Sequence, residues 1–294
     1  MTKESRQKII HAVFIGLALN VLLAVVKLTF GYIGGSQALI SDGYNSFSDV
    51  FMSVMIFLVI RIATKRPDEN HPYGHQKFEG VLYFSLGIVF LATSVVLGYQ
   101  AVRAIWSTSE VTTAPHVMTV YVSAGSLVIK IFLAYYYFKL NKTYHHPTLK
   151  AEAKNHFIDG WSTGATLMGL VLTQFGFLIF DAIAALIVAL FILRLAIQIL
   201  IEAVSYLVDE APVHDMLDQI KTAIIGIKGV IDVDDLKVRR HMTEYYVDVE
   251  IAVESTLSLI AAHQIAETVH TGIEKEFPDV IHCMVHVNPY IKRK

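Results

Sequence analysis

Two pairs of oxygen-bearing side chains sit where few are expected. Asn45 and Asp49 lie four residues apart in Asp42-Gly-Tyr-Asn-Ser-Phe-Ser-Asp49, inside a long apolar stretch. Asn155 and Asp159 repeat that spacing in Asn155-His-Phe-Ile-Asp159. On a helix, four residues apart means one face, about one turn apart. A carboxylate at membrane depth costs roughly 3 kcal/mol on insertion scales, so it reads as functional. Carboxylate and amide oxygens are hard donors that suit Mn²⁺, Mg²⁺ or Ca²⁺, whereas imidazole would favour Zn²⁺, Cu²⁺ or Ni²⁺. Two carboxylates neutralise a divalent cation. When it leaves they must stay charged in a poor solvent or take up protons. The competing reading is structural: Asp49 and Asp159 pair with Lys27, Lys130 or Arg194.

Other candidates are weaker by spacing alone. In Asp68-Glu-Asn-His71-Pro-Tyr-Gly-His75, two histidines and an acid lie close enough for a loop metal site, with Pro72 and Gly74 shaping the turn. Asp234, Glu250, His263, His286 and Asn288 would converge at a sheet end, or be surface residues, like His241 and His282. Lys77 and Asp209 sit at span ends and can pair, although a surface ion pair is worth under about 1 kcal/mol. His156 points about 100° away from Asn155 on a helix, so it is not expected to share the Asn155 site. His145 and His146 remain unassigned. Asn20, Ser53, Ser123 and Thr166 read as helix-contact residues, and Asp181 falls near one end of the last span.

These residues need elements to position them. The chain has 294 residues, 54% hydrophobic and 17% charged, with mean hydropathy +0.51. Soluble domains run about 25% charged, so a polytopic membrane protein is expected. A net charge of −2 and the absence of a basic block give no sign of nucleic-acid binding. The single Cys283 excludes an internal disulfide and a cysteine-rich zinc site. Stretches long enough to span fall at about 9–31, 37–61, 79–105, 116–140, 149–174 and 178–205. Lys and Arg gather at the N-terminus (Lys3, Arg6, Lys8), after the second stretch (Arg61, Lys65, Arg66, Lys77) and after the fourth (Lys139, Lys142, Lys150). The connections Gly31–Ser36, Ser107–Pro115 and Gln174–Phe180 have none. By the positive-inside rule both termini are cytoplasmic. Spans two and five then run in opposite directions, and their Asn–Asp faces can meet near mid-depth. Residues 1–207 form the transmembrane domain. Residues 208–294 read as a small cytoplasmic α+β domain in the order αββαβ, ferredoxin-like, with a helix over 212–226 and strands from Gly229, Tyr245 and Val280.

The spans, the two Asn–Asp faces, His71-Pro-Tyr-Gly-His75-Gln-Lys-Phe-Glu79, Ala153-Lys-Asn-His-Phe-Ile-Asp159 and the αββαβ tail together resemble the cation diffusion facilitator family over nearly the whole chain. The resemblance implies a homodimer in the cell membrane, joined partly through the cytoplasmic domain, that exports divalent metal in exchange for protons. It places Asn45, Asp49, Asn155 and Asp159 in the transport site and Asp68, His71 and His75 in a loop site. It also makes Lys77 and Asp209 a coupling ion pair. Zinc-transporting relatives usually carry His or Asp at position 45 and His at 155. The all-oxygen set resembles the manganese-exporting branch instead. In the tail, Asp234 and Glu250 replace familiar histidines, while His263 and His286 remain. The expected function is therefore proton-coupled Mn²⁺ export rather than catalysis, with no catalytic cofactor. The alternatives are a Zn²⁺ or Fe²⁺ exporter and a membrane-anchored metal sensor. A metalloenzyme is disfavoured, since no His-Glu-x-x-His or nucleophile constellation is present.

Overall fold

The computed structural model describes residues 3–63, 65, 68–106, 113–144, 147–211, 214–241 and 244–291. Arg66, His145, His146, Pro212 and most of the Ser107–Pro115 connection fall outside them, as do the side chains of Lys3, Arg6, Arg61 and His241. Six long helices come first: α1 (Lys3–Gly34), α2 (Gln37–Ala63), α3 (Lys77–Trp106), α4 (Met118–Tyr144), α5 (Pro147–Gln174) and α6 (Ile179–Leu207). Their cores match the spans read from the sequence, and most of their ends run on by up to two turns. The chain divides into two compact units, residues 1–58 with 85–200 and residues 59–84 with 201–294.

In the first unit the helices are unequal. Residues 10–34 of α1, together with α3, α4 and α6, are long and apolar enough to cross a membrane. Among the described residues α2 and α5 are not. Both helices carry charges along their length: Asp42 and Asp49 on α2, and Lys150, Glu152, Lys154 and Asp159 on α5. The cost is met by burial against polar partners, because Asp42, Asn45, Asp159, Thr163 and Thr166 are all almost inaccessible.

Two features fix α2 in place. A Cβ on Gly31 would come within 2.9 Å of Ile40, and one on Gly43 within 2.9 Å of Leu28. The bare backbones let α1 and α2 cross closely, the usual role of small residues between membrane helices. The start of α2 is capped from α6. Asp181 accepts hydrogen bonds from Ser36 Oγ (2.7 Å), Gln37 N (2.7 Å) and Ala38 N (3.3 Å). Ser36 Oγ in turn accepts from Leu39 N at 3.0 Å. A carboxylate over the first free N–H groups satisfies them and complements the positive end of the helix dipole. Asp181 is thus a structural cap.

The second unit contains α7 (His214–Ile225), β1 (Asp232–His241), β2 (Glu244–Val253), α8 (Leu259–Glu276) and β3 (Val280–Pro289). The sheet order is β1-β2-β3, with β1 antiparallel and β3 parallel to β2. The parallel step requires a crossover, which α8 supplies. Val247, Val249, Ile251 and Val253 alternate inward from β2 onto Ile220 and Ile224 of α7 and Val269 and Ile273 of α8. This is the αββαβ domain expected from the alternating patterns. β1 starts at Asp232 rather than Gly229, because Gly229 (φ 102°) closes the preceding turn. Ser258 caps α8 by accepting from Ala261 N at 3.3 Å.

Candidate metal centre

The α2 and α5 motifs meet in a buried polar network that also draws on α1 and α4. Lys130 of α4, fully buried, donates from Nζ to Asp159 Oδ2 at 2.6 Å and to Asn20 Oδ1 at 3.0 Å. The same Nζ lies 3.6 Å from Asp49 Oδ2. Two carboxylates, one from α2 and one from α5, therefore share a single ammonium. Asn45 adds a third contact, its Nδ2 donating to Asp159 Oδ1 at 3.4 Å. Asp49 Oδ2 is buried and accepts no hydrogen bond. Buried carboxylate oxygens are rarely left so; Asp42 Oδ2 also accepts none, but it lies 2.8 Å from Lys27 Nζ, whereas Asp49 Oδ2 is 3.6 Å from Lys130 Nζ.

Towards the start of α2 a second network is closed on itself. Lys27 Nζ lies 2.8 Å from Asp42 Oδ2, and both side chains are inaccessible. Lys27 also donates to Ser46 Oγ (3.1 Å) and Thr163 Oγ1 (3.0 Å), and the Thr163 hydroxyl donates to Asp42 Oδ1 at 3.1 Å. One ammonium here meets one carboxylate, and hydroxyls on α2 and α5 complete the ring. The sequence named Lys27 and Lys130 as possible partners of Asp49 and Asp159. Lys130 takes that part, and Lys27 is committed to Asp42.

Of the four residues expected to form one cage, three gather. Asn155, one turn before Asp159, is exposed, and among the described residues it makes no hydrogen bond with the other three. Its neighbour His156 is the buried one, stacked on Tyr137 with ring centroids 5.3 Å apart. The buried side of α5 runs through His156, Asp159, Thr163, Thr166, Leu170 and Thr173. Asn155 falls in the same angular sector as Asp159, since four residues turn the helix through about 400°. It differs from Asp159 in depth rather than direction.

In the second unit the loop residues assemble as expected. Asp68 accepts from the backbone N–H of His71 (2.8 Å) and of Asn70 (3.0 Å), and Gly74 (φ 88°) completes the turn. These bonds, the His71 amide foremost, hold the Asp68 carboxyl below the ordinary carboxylate range. His71 Nδ1 lies 3.3 Å from Asp68 Oδ1, and His75 Nε2 lies 3.4 Å from Asp68 Oδ2. All three ligand atoms fall within 4.8 Å of one another, a spacing that admits one ion. Lys77 Nζ and Asp209 Oδ1 pair at 3.1 Å, half exposed, with Asp209 in the left-handed region (φ 57°).

The five tail residues separate. Asn288 Nδ2 donates to Asp234 Oδ2 and to Glu250 Oε2, both at 3.1 Å. His286 is the register partner of Glu250 across β2 and β3. A β-bulge between Val233 and Asp235 leaves Asp234 out of the ladder, which alternation in the sequence could not foretell. His263 is not part of this group. It is 71% exposed on α8 and lies 3.7 Å from Glu267, so convergence of all five is corrected to three in contact, one adjacent and one apart. His282, read as an ordinary surface residue, instead stands 3.5 Å from Glu274.

Residues 13–208 match the cation efflux transmembrane domain, and residues 212–290 match the cation efflux protein cytoplasmic domain. The chain belongs to the cation efflux family. Members of that family are transporters, not catalysts. The chain is 34% identical to the uncharacterized transporter MJ0449 of Methanocaldococcus jannaschii, over 92% of this chain and 94% of that one. It is 29% identical to the manganese efflux system protein MneP of Bacillus subtilis (99% of this chain, 100% of that one) and 28% identical to MneS of the same organism (94% and 93%). The cation efflux assignment fits a cluster in which carboxylates outnumber their fixed counter-cation at membrane depth.

Proposed function

We propose that this chain exports divalent metal from the cytoplasm by exchange with protons, and that Mn²⁺ is the favoured cargo. The observation that carries this reading is the pair Asp49 and Asp159, buried together on one shared ammonium with an Asp49 oxygen unbonded. A divalent cation supplies the missing positive charge and displaces the Lys130 ammonium. Asn45 then turns its amide over, because Nδ2 now faces Asp159 and only Oδ1 can ligate. Asn155 stands exposed one turn away and marks the mouth of the route to Asp159 from the N-terminal end of α5. With that end cytoplasmic, metal reaches the site from the cytoplasm. Protons from the far side release it by occupying Asp49 and Asp159, so metal affinity falls as pH falls.

The donors set the preference. Asn45, Asp49 and Asp159, with Asn155 at the mouth, offer oxygen alone, which suits Mn²⁺ over Zn²⁺. MneP and MneS, similar along their whole length, are named for manganese efflux. The remaining assignments follow from the same reading: a homodimer in the cell membrane joined through residues 208–294, with both termini cytoplasmic. Asp68, His71 and His75 form an auxiliary ion site, and Lys77–Asp209 is a coupling pair. Asp234, Glu250, His286 and Asn288 form a weak cytoplasmic site to which His263 contributes only by movement of its side chain or from a second copy.

Flux measured in vesicles tests the proposal. Asp49→Ala and Asp159→Ala are each expected to reduce Mn²⁺ transport to background, and undiminished flux in either would overturn the site. Replacing Asn45 and Asn155 together by His is expected to move the Zn²⁺-to-Mn²⁺ ratio towards zinc by about tenfold or more. An unchanged ratio would refute the role of the oxygen donors in selectivity.

A further inference from the structure

The C-terminal domain carries a histidine cluster with no part in the sites above. On α8, His270 and Glu274 are four residues apart and share a face. β3 is an edge strand and brings His282 against that face. His270 Nε2 and His282 Nδ1 each lie 3.5 Å from Glu274 Oε1, and the three ligand atoms fall within 4.8 Å of one another. A tetrahedral ion with bonds of about 2.0–2.2 Å holds its ligand atoms roughly 3.3–3.6 Å apart. Both histidine–glutamate separations already match. The third closes by rotation of the His282 ring, whose side chain is 45% exposed.

Two of the three ligands are held from behind by one residue. His270 Nδ1 lies 2.6 Å from the Cys283 carbonyl oxygen. A carbonyl can only accept, so Nδ1 carries a proton and Nε2 is the ring nitrogen aimed at Glu274. The Cys283 N–H donates to Glu274 Oε1 at 3.1 Å and fixes the carboxylate. Such backing by backbone groups is what orients histidine and carboxylate around a metal. It also holds Nε2 and a carboxylate oxygen 3.5 Å apart, a gap that one cation can bridge.

We propose that His270, Glu274 and His282 form a divalent-cation site at the open edge of the sheet, with water in the fourth position. Two imidazoles and one carboxylate suit Zn²⁺ better than Mn²⁺. The ion would clamp α8 to β3, covering the edge of the sheet. Its donor chemistry is opposite to that of the membrane cluster, so the domain would respond to a metal other than the cargo proposed above. The inference stands whether or not that cargo is Mn²⁺.

The test uses the full-length protein in detergent after stripping with chelator. Bound Zn²⁺ is counted by equilibrium dialysis, and thermal denaturation of the domain is followed with and without Zn²⁺. His282→Ala and Glu274→Gln are each expected to lose one zinc per chain, or to weaken it at least tenfold, and to lose the zinc-dependent rise in Tm. Any rise in Tm that Mn²⁺ produces at equal concentration is expected to be the same in both variants as in the unaltered protein. Glu274→Gln keeps an oxygen for the Cys283 amide, and among the described residues the His282 side chain makes no hydrogen bond to backbone, so both variants should fold. Their Tm without zinc checks this. Zinc binding with unaltered number, affinity and Tm shift in both variants would overturn the site.

Discussion

Lys27 and Lys130 are both fully buried, and each contacts an aspartate of α2. Around Lys27 the charges balance one to one, and Ser46 and Thr163 fill the remaining directions of the ammonium. Around Lys130 two aspartates compete for one cation, and among the described residues the only other partner is the Asn20 amide oxygen. Breaking a buried pair is expensive, but a well-satisfied pair adds little that a packed apolar pair would not. The Lys27 ring is therefore read as architecture that registers α1, α2 and α5. The Lys130 cluster is read as a site held short of positive charge. Net charge of the local cluster, rather than the presence of buried acids, separates the two.

The largest effect is expected from unbalancing the closed ring. Lys27→Met leaves Asp42 buried without its cation and should cost about 3–5 kcal/mol. This would be seen as a large drop in Tm in detergent and poor recovery from membranes. Adding Asp42→Leu should restore most of the loss. If Lys27→Met instead left Tm unchanged and abolished metal flux, Lys27 would belong to the transport machinery and the distinction between the two lysines would fail.

The comparison also shows what could be read in advance. Carboxylates on apolar stretches announce themselves by type and spacing, so Asp49 and Asp159 were legible, and so was the αββαβ tail through the alternation of β2. The partition of the lysines was not. Lys27 and Lys130 stand 19 and 29 residues from the bonded side chains Ser46 and Asp159, on other helices, and nothing local in the chain assigns them. The depth of Asn155 was equally hidden. Spacing fixes its direction on α5 but not whether another element covers it. The bulge that re-aims Asp234 leaves no mark on the alternation. His270 and Glu274 did carry a signal in their four-residue spacing, but only tertiary packing supplies His282.

Lys130→Met sharpens the comparison next. If the ammonium competes with the metal for Asp49 and Asp159, its removal should tighten Mn²⁺ binding by about tenfold, equivalent to about 1.4 kcal/mol. It should also enlarge the rise in Tm that Mn²⁺ produces, because the unbound state then holds two uncompensated carboxylates. Titration of Mn²⁺ into purified protein reads both. Weaker binding in Lys130→Met would mean that the lysine positions the carboxylates and does not stand in for the cargo.

The smallest effect tests whether the closed ring is silent in binding. Thr163 accepts from Lys27 and donates to Asp42, on the same face of α5 as Asp159 and one turn from it. Thr163→Val keeps the shape and removes both bonds, and should cost about 1–2 kcal/mol of stability. Because the ring is complete without a metal, Mn²⁺ affinity should stay within about twofold of the unaltered value, a margin of about 0.4 kcal/mol. A stability loss without an affinity change places the boundary between scaffold and site within one helical turn of α5. An affinity change as large as that of Lys130→Met would erase that boundary and make the two lysine networks one.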